Sequence, residues 1–221
     1  LSRGAVRPSA IHHNIPLTGG FVVSNSAKQS SFLLALLPLV ILYAGAAVLV
    51  VLSRDGLGGM VQYWEFFVPV VAVISLMSGW GQAYVNGNSR LMYLIKQIII
   101  WGLLIAILWM FQTLGITSAL GDQKYALVLL ALLVLTAIAV GLALDFKLFF
   151  FGIFLAAGAY LLAVPADTTI LTKVGEIFRI ADPQNKPQTI VVTMALVGFV
   201  LSAFFLISVR GAIMAKRIRA K

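Results

Sequence analysis

The chain lacks cysteine and has very few histidines, and these shortages exclude several classes of site. Without cysteine there are no disulfides, thiolate nucleophiles, iron–sulfur clusters or cysteine-ligated zinc ions. The two histidines, His12 and His13, are adjacent in a polar segment, so bis-histidine haem ligation is excluded. We therefore predict neither a metal site nor a cofactor.

Motifs that carry catalysis are missing as well. The sequence contains no HExxH, GxSxG or Walker A motif, and its apolar stretches show no nucleophile paired with a base. No catalytic residue is predicted, and we expect a protein that is not an enzyme.

Charge is also scarce, and apolar residues take its place. Hydrophobic residues make up 61% of the 221 residues, charged residues make up 10%, and the mean hydropathy is +1.03. Soluble proteins are nearer half apolar and a quarter charged, so these values indicate a membrane protein. The first residues contain no long apolar stretch, and no signal peptide is expected.

Six apolar runs are long enough to cross about 30 Å of hydrocarbon as helices. The runs are continuous rather than alternating, which favours helices over barrel strands. The predicted fold is all-α, a polytopic membrane protein whose six-helix bundle (32–209) lies between a polar tail (1–31) and a basic tail (210–221). The predicted transmembrane helices are 32–52, 64–84, 93–114, 125–144, 148–164 and 189–209.

The distribution of Lys and Arg predicts the orientation. Of the 16 such residues, all but five would lie on the side that holds both termini. The five are Arg54, Lys124, Lys173, Arg179 and Lys186. The positive-inside rule then predicts that both termini are cytoplasmic, and the compact loops suggest a bacterial inner (plasma) membrane. Nucleic acid is not an expected partner, because most basic residues are scattered.

The basic tail continues the sixth helix and concentrates positive charge. Its basic residues are Arg210, Lys216, Arg217, Arg219 and Lys221. Contact with anionic lipid headgroups is expected, at about 1 kcal/mol for each residue near the surface. A docking site for a soluble partner is the alternative.

A short amphipathic helix is predicted over 167–181, between helices five and six on the outer side. Its apolar residues recur at helical spacing, and "DPQNKPQ" ends the pattern. The apolar residues are Ile170, Leu171, Val174, Ile177 and Phe178. This segment is interpreted as an interfacial connector, with a gate or a surface for a neighbouring subunit as the alternative.

The second helix ends in the unusual stretch "SGWGQAYVNGNSR", which places small and polar residues on one face. With two residues of the third helix, the predicted packing and polar face comprises Ser75, Ser78, Gly79, Gln82, Ala83, Asn86, Lys96 and Gln97. Hydrogen bonds from Gln82 or Asn86 to Gln97 or Lys96 would hold the two helices together. The face is either packing glue or the wall of a water-filled or substrate-lined cavity.

Three charged residues near helix ends are interpreted as interfacial, within reach of water: Glu65, Lys96 and Asp145. Asp145 is also expected to cap the fifth helix. Small residues at four-residue spacing, such as Ala137 with Gly141, predict close helix packing.

Two functions remain open. The first is a non-catalytic multi-pass subunit that acts as anchor or scaffold within a larger membrane assembly, with other membrane subunits and the lipid bilayer as partners. The alternative is a channel or carrier for a small solute or lipid that uses the polar face of helices two and three.

Overall fold

A computed structural model describes residues 24–85, 90–164 and 168–219, with side chains described over 36–78, 91–164, 169 and 171–208. The described chain is helical and contains no strand, so the predicted all-α class is confirmed. The α-helices are α1 (Ser24–Ser53), α2 (Val61–Val85), α3 (Arg90–Thr113), α4 (Ile116–Leu120), α5 (Asp122–Ala143), α6 (Phe146–Ala163), α7 (Thr168–Phe178) and α8 (Pro187–Arg219).

Six helices in the described ranges are long and apolar enough to span a membrane: α1, α2, α3, α5, α6 and α8. The structure adds a 3₁₀ turn at Gly58–Met60 and the short α4, neither of which was predicted. It also begins α1 at Ser24, earlier than predicted, and it continues α8 to Arg219, as predicted for the basic tail. Hydropathy marks only the apolar part of a helix, whereas polar residues such as those at these two ends are also compatible with helical backbone.

Helices α5 and α6 form the tightest hairpin of the bundle. A methyl group at Gly141 would meet the backbone of Phe149, and one at Gly152 would lie 2.7 Å from Cγ1 of Ile138. The close packing predicted from small residues is thus confirmed for this pair. Asp145 caps α6, because its side chain accepts a hydrogen bond from the Lys147 backbone N–H at 3.3 Å.

The remaining helices surround this hairpin. Helix α8 packs against α6 and α1, while α2 and α3 pack on each other and against α5. Trp64, Trp101 and Phe151 are among the largest fully buried side chains. The core therefore lies where the long helices meet, and apolar side chains on their outer faces are exposed as lipid contact requires.

The predicted outer amphipathic segment forms α7, which contacts α8. Leu171 is buried, Val174 and Phe178 are partly buried, and Ile177 is 76% exposed. The side chain of Ile170 lies outside the described residues. The predicted apolar face is therefore divided between contact with the bundle and exposure.

Candidate functional site

The described part of the polar face of α2 consists of Ser75 and Ser78. These residues lie on one face because they are three positions apart on a helix. Ser75 is fully buried against α3, and Ser78 is partly buried and bonded to α6. Gly79, Gln82 and Ala83 belong to α2 by backbone, but their side chains lie outside the described residues, as does all of Asn86.

Gln97 of α3 forms the centre of a buried hydrogen-bond cluster. Its Nε2 donates to the Ser75 hydroxyl at 3.0 Å and to the Tyr93 hydroxyl at 2.7 Å. Its Oε1 accepts from the Trp101 indole at 2.9 Å and from the Ser75 hydroxyl at 3.3 Å. Both amide donors and both acceptor positions of Gln97 are therefore used within the chain.

Lys96 does not join this cluster. Its side chain is exposed, because adjacent residues on a helix point about 100° apart and Gln97 faces inward. The position differs from the sequence analysis, which placed Lys96 beside Gln97 on the polar face.

An ion pair lies on the α6 side of the same region. Lys147 Nζ is 3.2 Å from Asp145 Oδ2, and the two side chains are 3% and 1% exposed. Lys147 also donates to the Ser78 hydroxyl at 2.6 Å. Asp145 was expected at the interface within reach of water, but its side chain is 1% exposed, and the adjoining Lys147 is hydrogen-bonded to Ser78 of α2.

Two further polar residues connect α1 and α8 to this ion pair. Ser202 of α8 donates to the backbone carbonyl of Lys147 at 3.2 Å. The hydroxyls of Tyr43 and Ser202 are 2.9 Å apart and hydrogen-bonded. These contacts hold α1, α6 and α8 together by their polar groups.

We call the combined set the polar core: Tyr43, Ser75, Ser78, Tyr93, Gln97, Trp101, Asp145, Lys147 and Ser202. The Gln97 cluster and the ion pair are connected through α2, because Ser75 is hydrogen-bonded to Gln97 and Ser78 is hydrogen-bonded to Lys147. Five helices contribute to the polar core. Chemically it can fix helix positions, or it can present a buried charge pair to a solute.

Sequence reasoning missed the tyrosines, Trp101 and Ser202, and it did not foresee that Lys147 is buried. One signal was present for part of the cluster, because Tyr93, Gln97 and Trp101 recur every four residues on one helix face. Ser202 gave a weaker signal as an isolated polar residue within an apolar run.

The other sites singled out in the sequence lie partly outside what the structure describes. Arg210, Lys216, Arg217 and Arg219 are in the last part of α8, with side chains that are not described. Lys221, His12 and His13 are outside the described residues altogether. Among the described residues, no group of three His, Cys, Asp or Glu side chains could hold a metal ion.

A second polar group lies near the other end of α2, where Glu65 accepts hydrogen bonds from Gln112 of α3 and Tyr125 of α5. Like the polar core, it connects helices that are separated in sequence.

Comparison with family models, curated proteins and solved structures finds no match to this chain.

Proposed function

We propose that this chain is a non-catalytic multi-pass membrane subunit that anchors or scaffolds other membrane proteins. The observation that supports this most strongly is the internal pairing of the polar core, in which the buried Asp145 Oδ2 has an ion-pair contact with Lys147 but no hydrogen bond. Gln97 uses all its hydrogen-bonding positions within the chain, and Lys147 is held by Asp145 and Ser78. Polar groups that satisfy one another fix the helices and offer little to a passing solute.

A surface for a partner is available between α1 and α8. It is an apolar groove of about 430 Å³ lined by Val40, Tyr43, Ala44, Ala47, Val48, Val192, Ala195, Leu196 and Phe199. The only hydroxyl in this lining, that of Tyr43, is bonded to Ser202. Small residues let two helix backbones approach closely in lipid, so the alanines favour a transmembrane helix of a partner protein as the occupant.

Site-specific crosslinking in native membranes tests this proposal. A photo-crosslinking amino acid replaces Ala44, which lies in the groove, or Leu135, which is 65% exposed on α5. We expect a discrete protein adduct from position 44 and none of the same mass from position 135. The same adduct from both positions, or lipid adducts alone from position 44, would contradict the scaffold.

The second candidate is a channel or carrier for a small solute or lipid, with the polar face of α2 and α3 along its pathway. The buried ion pair of Asp145 and Lys147 favours it, because ionisable groups within a transmembrane bundle are costly and often mark transport paths. Proteoliposomes with an enclosed pH-sensitive dye test for coupled proton movement. Flux that disappears in Gln82→Leu, and in Lys147→Met that elutes as the unaltered chain does, supports the carrier, and flux equal to that of empty vesicles argues against a proton-coupled carrier.

We further propose a bacterial inner membrane location with both termini in the cytoplasm. The support is the excess of Lys and Arg on the side of the termini. In this orientation the basic tail would lie against anionic headgroups of the inner leaflet.

A further inference from the structure

A pocket of about 250 Å³ opens between α2 and α3, near the end of α2 that is remote from the polar core. It is lined by Glu65, Val68, Pro69, Ile105, Leu108, Trp109 and Gln112. One carboxylate therefore lies in an otherwise mostly apolar and aromatic wall. This combination is unusual for a surface that faces lipid.

The Glu65 carboxylate is held in place from one side. Gln112 Nε2 donates to Oε1 at 2.9 Å, and the Tyr125 hydroxyl donates to the same oxygen at 2.8 Å. Tyr125 is itself only 2% exposed and is therefore a fixed donor. Both bonds end on Oε1, which leaves Oε2 as an acceptor for a further donor.

The ion pair in the described part of the chain joins Lys147 to Asp145. No described basic residue therefore pairs with Glu65. A partly buried carboxylate without a counter-charge carries a desolvation cost that a bound cation would relieve. The pocket is therefore electrostatically suited to a positive group.

A second acceptor comes from the backbone. Pro69 has no N–H, so the carbonyl of Glu65, four residues earlier, lacks its usual helical donor. Gln112 adds a side-chain carbonyl oxygen, because its amide nitrogen is the atom that faces Glu65. With Glu65 Oε2, these two carbonyl oxygens make three acceptors on two residues that are hydrogen-bonded to each other.

Trp109 adds an aromatic wall. Its side chain is 67% exposed at the mouth of the pocket, and tryptophan is the strongest aromatic partner for a cation. Apolar walls from Val68, Ile105 and Leu108 suit an organic cation better than a bare metal ion, which prefers several carboxylate or carbonyl ligands.

We propose that this pocket binds a primary ammonium group, whose three N–H donors match the three acceptor oxygens. The group can come from the ethanolamine head of a phospholipid or from a free amine. The lipid is the favoured source because the mouth is bordered by Ile105 and Trp109, which are 44% and 67% exposed on the outer face of α3. Charge-assisted hydrogen bonds to the carboxylate supply most of the selectivity.

Native mass spectrometry of the full chain in detergent tests the proposal with defined lipids. Phosphatidylethanolamine and phosphatidylglycerol with identical acyl chains are added in equal amounts. We expect preferential retention of phosphatidylethanolamine, and a loss of that preference by about tenfold in Glu65→Gln, since a hydrogen bond to a charged group is removed. Glu176→Gln is the matched control, because it makes the same charge change at an exposed position of α7.

The aromatic wall gives an independent variant. Trp109→Leu should weaken the preference several-fold, and Trp109→Phe should retain part of it, because phenylalanine still offers an aromatic face. Displacement of the lipid by millimolar free ethanolamine would support the site and add free amines as ligands. Retention of the lipid under that challenge would assign the site to the headgroup.

Equal retention of the two lipids by the unaltered chain would overturn the proposal. An unchanged preference in a Glu65→Gln variant that elutes like the unaltered chain would also overturn the proposal. If Glu65→Gln aggregates, the Trp109 pair decides, and an unchanged preference in Trp109→Leu overturns the site.

Discussion

Lys147 Nζ lies 3.2 Å from Oδ2 of Asp145, two residues earlier in the chain, and both side chains are at least 97% buried, being 3% and 1% exposed. The same Asp145 caps α6, and the same Lys147 reaches Ser78 of α2. One short turn therefore both begins a helix and connects it to another. The pair is expected to be sensitive to the loss of either charge.

Removal of one charge from this pair should be more harmful than removal of both. Lys147→Met leaves the Asp145 carboxylate buried without a counter-charge, which should lower the free energy of unfolding by roughly 3 to 5 kcal/mol. The double variant Asp145→Asn/Lys147→Met should recover much of this loss, because asparagine also caps helices well. Unfolding in detergent at increasing denaturant concentration measures the two single variants, Lys147→Met and Asp145→Asn, and the double variant. A double variant that loses the sum of both single losses would contradict this interpretation.

Gln97 should contribute more to stability than an exposed glutamine of similar helical context. Gln97→Leu leaves the Trp101 indole N–H and the Ser75 hydroxyl without their acceptor, and it leaves the Tyr93 hydroxyl without its donor. We expect a loss of about 1 to 2 kcal/mol, within the range measured for hydrogen bonds between membrane helices. Gln62→Leu on the exposed face of α2 is the control and should change stability little. Equal effects of the two substitutions, measured by the same unfolding assay, would show that the cluster is not a stabilising feature.

Hydropathy was sufficient for the six-helix fold because backbone groups in lipid must be satisfied within each segment. It could not locate the start of α1, since no apolar signal marks the helical residues at Ser24, whereas helical spacing in the basic tail predicted that the last helix continues, as it does to Arg219. The helix cap at Asp145 was predictable because it depends on residues adjacent in sequence.

The polar core was only partly predictable, because its contacts join distant parts of the chain. Ser75 and Gln97 were both placed on one predicted face, and the structure joins them directly. The contact between Tyr43 and Ser202 bridges the first and last spanning helices, and no local pattern indicates that these helices are neighbours. Lys96 and Gln97 are adjacent in sequence, and only the packing of α3 decides which of them faces inward.

The orientation can be tested with single cysteines because the chain contains none. Asn185→Cys lies at an exposed position between α7 and α8, on the side predicted to be external. We expect a membrane-impermeant maleimide to label it in intact cells, whereas Ala220→Cys in the basic tail should be labelled only after permeabilisation. Labelling of Ala220→Cys in intact cells, with Asn185→Cys protected, would reverse the proposed topology.

Two glycines in spanning helices should respond oppositely to the same substitution. A methyl group at Gly152 of α6 would lie 2.7 Å from Ile138 Cγ1 and 3.1 Å from the Ile138 backbone nitrogen, so α5 and α6 would have to separate. Gly152→Ala should therefore destabilise the chain by about 1 to 3 kcal/mol, as overpacking does. A methyl group at Gly102 of α3 meets nothing within 4 Å, and Gly102→Ala should be neutral or stabilise by up to about 1 kcal/mol, because alanine favours the helical backbone. Unfolding of both variants in the same detergent measures the difference in their free energies of unfolding. A Gly152→Ala variant as stable as Gly102→Ala would show that α5 and α6 do not approach each other this closely.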